Sequence, residues 1–111
     1  MKIRKASISD VSAIFAIRSR VRENHLSVDQ LAERGITKAA FGKWLADGYG
    51  MWVADLDGAA AGFAIAIPCE ATLWALFVDP DFEGRGVGRA LLRVAEEWLF
   101  AQGCNDISLT T

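Results

Sequence analysis

The sequence is poor in the residues that build metal centres and disulfide scaffolds. It has two cysteines, Cys69 and Cys104, and a single histidine, His25. Their spacing fits no metal-ligand motif, so the thiols read as buried apolar groups and no metal is expected. With two prolines among 111 residues, a proline-rich linker and a collagen-like repeat are both excluded. Nor does any run approach the roughly 18 consecutive apolar residues of a membrane span. The charges of Met1-Lys2-Ile3-Arg4-Lys5 have no signal-peptide core behind them. These absences predict a cytoplasmic protein without a membrane partner. Basic residues are scarce in the second half, where Tyr49 to Thr111 carries three Arg against nine Asp/Glu, while Met1 to Gly48 carries nine Lys/Arg against five. No basic stripe suited to nucleic acid results, and no nucleic-acid partner is expected. The three late arginines, Arg85, Arg89 and Arg93, instead fall close together and invite a small anionic ligand.

What the chain does have is apolar mass, 52% hydrophobic residues with 23% charged. That suffices for one domain over residues 1–111 with its own core. Lys2 to Ala6 reads as a strand, and Ser7-Ile8-Ser9-Asp10 as a capping box opening a helix. Val11, Ile14, Ile17 and Val21 form that helix's apolar stripe, with Arg18, Arg20 and Arg22 expected off it or at its edge. Ser27 with Gln30 caps a short helix ending near Gly35. Thr37 caps a third, which buries Phe41, Trp44 and Leu45 and stops at Gly48.

From Met51 the pattern turns to strands. Asp57-Gly58 is the tight turn of a hairpin joining Met51–Asp55 to Ala60–Ile67. Thr72 to Val78 is apolar at nearly every position and is expected to be a central strand covered on both faces. A turn at Asp79-Pro80-Asp81-Phe82 leads to a glycine loop and a helix from about Gly88 to Gln102. Leu91, Val94, Ala95, Trp98 and Leu99 share that helix's apolar face, and Phe100 falls on the opposite, polar one. Asp106 to Thr111 is a final strand.

The loop carries the chemistry. Gly84, Gly86 and Gly88 alternate with Arg85 and Val87, so several backbone N–H groups can turn into one concavity at a helix N-terminus, a nest for anions. Arg85 and Arg89 are expected to add full charges. Two familiar phosphate loops are excluded: a dinucleotide fingerprint would need glycine where Arg89 or Leu91 stands, and no G-x-x-x-x-G-K-[ST] occurs.

Leu76-Phe77-Val78-Asp79-Pro80, followed by Glu83-Gly84-Arg85-Gly86-Val87-Gly88-Arg89-Ala90-Leu91-Leu92, closely resembles the signature of the GNAT superfamily of acyl-CoA-dependent N-acyltransferases. The order of elements along the whole chain is compatible with it. The resemblance implies an α/β (α+β) fold with a mixed, mostly antiparallel sheet and helices on both faces. It implies that the backbone of Leu76, Phe77 and Val78 pairs with the pantetheine arm of acetyl-CoA, and that the loop of Gly84, Arg85, Gly86, Val87, Gly88 and Arg89 holds the pyrophosphate. Glu83 stands where family members usually carry Gln or Arg. Family members also continue past the final strand with a helix that often bears a tyrosine, then with further strands. The expected fold is therefore C-terminally shortened, and the sole tyrosine, Tyr49, matches no such proton donor.

The implied reaction moves an acetyl group from acetyl-CoA to a primary amine of a small molecule or peptide. Because an alkyl amine has a pKa near 10.4, a group must take its proton. Glu70, at the start of the central strand, is the candidate base, its alternative being a solvated carboxylate at a strand end. Asp79 reads as a turn residue, His25 as a surface-loop histidine, and Trp52 and Trp74 as core. A non-catalytic acyl-CoA-binding module is the alternative function. An uncovered final strand and the misplaced Phe100 predict a homodimer.

Overall fold

The computed structural model describes residues 1–21, 26–67, 72–103 and 108–109. Strand β1 (Lys2–Lys5) leads through a 3-10 turn (Ile8–Asp10) into α1 (Val11–Arg20), followed by α2 (Val28–Glu33) and α3 (Lys38–Ala46). Strands β2 (Gly50–Leu56), β3 (Ala59–Ile67) and β4 (Thr72–Val78) follow, then a second 3-10 turn (Pro80–Phe82), α4 (Val87–Ala101) and β5 (Ser108–Leu109). The sheet order is β1-β2-β3-β4-β5. The first four strands are antiparallel, and β5 joins β4 in parallel.

Local chemistry sets the element ends. Ser27 Oγ accepts from the Gln30 N–H at 3.1 Å while Gln30 Oε1 accepts from the Ser27 N–H at 2.9 Å, a reciprocal cap. Thr37 Oγ1 accepts from the Ala40 N–H at 3.1 Å. At the β2–β3 hairpin Asp57 and Gly58 have φ of 55° and 79°, the left-handed pair that a two-residue turn between twisted strands requires.

Alternation then divides the core. Met51, Val53, Phe63, Ile65 and Ala75 face α1 and α3, where Val11, Ile14, Ile17 and Phe41 close over them. Trp52, Ala54, Ala61, Ala64 and Ala66 face α4, packed by Val87, Leu91, Ala95 and Leu99. The small residues on this second face let α4 approach closely. Gly62 leaves no room for a side chain, since a Cβ there would lie 2.8 Å from the Phe77 carbonyl oxygen and 3.0 Å from Val87 Cγ1.

Two expectations need correction. The fully covered central strand is β3, in which Ala61 to Ile67 are all buried, and not Thr72–Val78. The latter is half-buried at Trp74, Leu76, Phe77 and Val78, because a pocket opens beside its end. Arg18 does not lie off the α1 stripe but is buried at 7% exposure. Among the described residues no helix is long and apolar enough to cross a membrane.

Arg4 ties β1 to both neighbours. Its Nε donates to Asp55 at 2.7 Å, and its Nη1 and Nη2 reach the two Asp10 oxygens at 2.8 and 2.9 Å. The Arg4 hydrogen bonds, aided by the Ser7 N–H, lower the Asp10 pKa from 3.8 to about 2 despite partial burial. A depressed carboxyl pKa contributes stability that is complete above the unfolded value and fades as pH falls through the folded one. Asp10→Asn should therefore destabilise the fold by about 1 kcal/mol at pH 7, after solvent screening. The difference from wild type should shrink between pH 4 and pH 2. Urea midpoints at the three pH values check this, and a difference independent of pH would contradict it.

Candidate functional site

The site grows from the way β4 leaves the sheet. Ile65 pairs with Ala75 and Ala66 with Leu73, so Trp74 is an extra residue in β4. A bulge of this kind bends its strand and strengthens its twist. Among the described residues β5 meets β4 at Thr72 and Leu73. Leu76, Phe77 and Val78 keep their hydrogen-bonding to β3 on one side and border a pocket of about 610 Å³.

The glycine loop and the start of α4 form the opposite wall. Gly84 and Gly86 have φ of 77° and 80°, left-handed values that L side chains rarely adopt. Gly86 is the N-cap of α4, and no side chain caps that end. The first backbone bond of the helix runs from the Ala90 N–H to the Gly86 carbonyl at 3.1 Å. The N–H groups of Val87, Gly88 and Arg89 precede it and lack intrahelical acceptors, as helix geometry dictates. They sit at the positive end of a helix of 15 residues. Gly88 serves a different purpose from its neighbours, because a Cβ there would make ordinary contact with Val78 Cγ2 at 3.5 Å.

Val21 and Phe82 complete apolar parts of the lining, Glu83 and Arg89 the charged part. The pocket thus has the end of β4 along one side and an amide-rich end where Glu83 and Arg89 supply one charge of each sign. Such a slot fits an extended molecule bearing amides at one end and phosphates at the other. Of the residues expected to meet there, Leu76, Phe77, Val78, Gly84, Gly86, Val87, Gly88 and Arg89 do. Arg85 is placed elsewhere: its Nη1 donates to Asp57 Oδ2 at 2.9 Å, so the side chain reaches back to the hairpin turn. Glu70, His25, Cys69 and Cys104 lie outside the described residues. Tyr49 stacks on Trp44 at 6.2 Å between centroids and 3° between planes, in the core cluster under α3. Trp52 is buried, and Trp74 packs partly buried against the α1-side cluster.

Two features beside the pocket escaped sequence reasoning. The Arg18 guanidinium lies over the Phe77 ring, 4.5 Å from its centroid. Burial first, and the positive charge of Arg34 second, lower its pKa from the ordinary guanidinium value. A signal for this was present, since Arg18 follows Ile14 by four positions and Val11 by seven, the spacing of a buried stripe. The second feature is Arg20, which bonds Asp79 Oδ2 and Asp81 Oδ2 at 2.9 Å each. Asp79 is accordingly more than a turn residue. It is buried, its Oδ1 accepts from the Asp81 N–H at 2.9 Å, and its own N–H donates to Ala61 at 2.7 Å.

Comparison with known proteins identifies the fold and the family. A PaiA N-acetyltransferase from Thermoplasma acidophilum, solved in complex with coenzyme A, superposes with a TM-score of 0.79 at 18% identity, over 97% of this chain and 77% of that one. A GCN5-related N-acetyltransferase from Rhodopseudomonas palustris gives 0.73 at 26% identity, over 92% of this chain and 67% of that one. An uncharacterized N-acetyltransferase of Methanocaldococcus jannaschii is 35% identical across 60% of this chain. The match spans about a third of that relative's length, 34%. The model of the acetyltransferase (GNAT) family matches residues 12–111, and the chain belongs to that family.

Proposed function

We propose that this chain binds acetyl-CoA in the pocket between β4 and α4 and transfers the acetyl group to a primary amine of a small molecule or peptide. One observation carries the reading: Leu76–Val78 at the end of β4 and the N-terminus of α4, which no side chain caps, line the same pocket. The backbone of Leu76, Phe77 and Val78 would hold the pantetheine amides as a short added strand. The N–H groups of Val87, Gly88 and Arg89 would receive the pyrophosphate, with Arg89 adding charge. Bound there, acetyl-CoA supplies an activated thioester.

The acceptor amine must be neutral when its lone pair attacks, and Glu70 is the proposed base for its proton. The new C–N bond replaces the C–S bond, and a proton must reach the departing sulfur. Release of free thiol from acetyl-CoA across a panel of amines tests the reading. Coenzyme A binding without thiol release from any amine would instead support an acyl-CoA-binding module.

The side chains make a graded prediction. Arg89→Gln should weaken coenzyme A binding about tenfold at low salt, since Arg89 lines the slot. Arg85→Gln should change it less than about threefold, because that guanidinium already holds Asp57. Titration calorimetry measures both, and equal losses would contradict the placement. The reading also includes a cytoplasmic homodimer. Phe100, 54% exposed on α4, is the apolar group a second copy would cover. Light scattering at micromolar concentration checks this, a monomer mass being the contrary result.

A further inference from the structure

The segment feeding the anion loop is itself strongly acidic. Asp79, Asp81 and Glu83 alternate through the five residues that lead from Val78 to Gly84, and Phe82, Glu83 and Gly84 line the pocket. A site for pyrophosphate is thereby approached by three carboxylates, whose field opposes that of the α4 N-terminus. Arg20 answers two of them. It projects from the last turn of α1 and splits its guanidinium, Nη1 to Asp79 and Nη2 to Asp81, both at 2.9 Å. The Asp79 carboxyl is only 6% exposed and that of Asp81 71%, so Arg20 joins a buried carboxylate to a solvated one whose field salt can screen. Val21, the next residue, forms part of the pocket wall. One side chain therefore both lowers the negative charge of the approach to the loop and pins the end of α1 beside it.

We infer that Arg20 is a positioning residue for the acyl-CoA phosphates: it offsets one of the three carboxylate charges of the Asp79–Glu83 segment and holds that segment in register with the anion loop. The inference rests on the proposed coenzyme A site and adds a residue that contacts none of its lining amides. Its signature is electrostatic. Loss of the guanidinium adds one uncompensated negative charge to the approach of an anionic ligand, and salt should relieve that penalty, whereas mere loosening of α1 would not respond to salt.

The experiment is calorimetric titration of coenzyme A into the full chain, at about 0.05 M and about 0.5 M salt. For Arg20→Gln we expect affinity about tenfold below wild type at low salt and within about threefold at high salt. Arg20→Lys, which keeps the charge and protects the fold, should stay within about threefold of wild type throughout. Equal affinity of Arg20→Gln and wild type at low salt would overturn the inference. So would a loss that salt does not change, or a loss as large for Arg20→Lys as for Arg20→Gln. Should Arg20→Gln not fold, Asp81→Asn, at an exposed carboxylate, reads the same field: it should tighten coenzyme A binding at low salt and not at high salt, and unchanged affinity at low salt would overturn the inference. Failure of the wild-type chain to bind coenzyme A would overturn the proposed function together with this inference, and is thereby distinct from the other outcomes.

Discussion

Gly86→Val is expected to abolish coenzyme A binding, with a loss of more than about 100-fold, while leaving the protein folded. Gly86 sits at φ 80°, where a β-branched side chain is strongly disfavoured, by about 1–2 kcal/mol. A Cβ there would meet no protein atom within 4 Å, so the damage is conformational rather than steric. As the N-cap of α4, Gly86 aims the N–H groups of Val87, Gly88 and Arg89. Rotating its backbone into an allowed region turns those donors away from one another, and the new side chain lies in the lining of the slot. Gly88→Ala is the contrast, since its methyl fits beside Val78. A circular-dichroism melt beside the titration separates the two effects. Undiminished affinity in folded Gly86→Val would remove the loop from the binding site.

Gly62→Val is expected to give the largest loss of stability among the substitutions considered, about 3 kcal/mol. For a domain of this size that lowers the melting temperature by roughly 10–20 °C. Here the backbone is not left-handed, and space alone decides. The added Cβ would stand 2.8 Å from the Phe77 carbonyl, 3.0 Å from Val87 Cγ1 and 3.1 Å from Leu91 Cδ1. Carbonyl and helix must move apart, and both belong to the walls of the slot. Coenzyme A affinity should therefore fall even well below the melting temperature. A melt within a few degrees of wild type would show that α4 does not rest on β3 as closely as described.

The two glycines also mark what could be read from the chain. Gly86 was legible because its reason is local: a glycine at a helix N-cap after a buried strand declares its turn by sequence alone. The caps at Ser27 and Thr37 and the Asp57-Gly58 turn are legible on the same ground, each satisfied by residues within three positions. Gly62 gave no such sign, because its neighbours Phe77, Val87 and Leu91 come close only in the folded sheet. Arg20 meets Asp79 across 59 positions and Arg85 meets Asp57 across 28. No spacing rule announces those pairings. A continuous apolar run in turn misled for Thr72–Val78, since burial by a sheet and by a ligand slot call for the same residues. The catalytic end of the site is the least legible part: Glu70 rests on its place in sequence, and it lies outside the described residues.

The central claim is that the end of β4 and the N-terminus of α4 jointly hold the acyl-CoA. Following backbone amide resonances by NMR during a coenzyme A titration tests it most directly. The account predicts the largest shifts at Leu76, Phe77 and Val78 and at Gly86, Val87, Gly88 and Arg89, saturating together at one affinity. Saturable binding that leaves these amides unmoved, with shifts gathered on another surface, would contradict it.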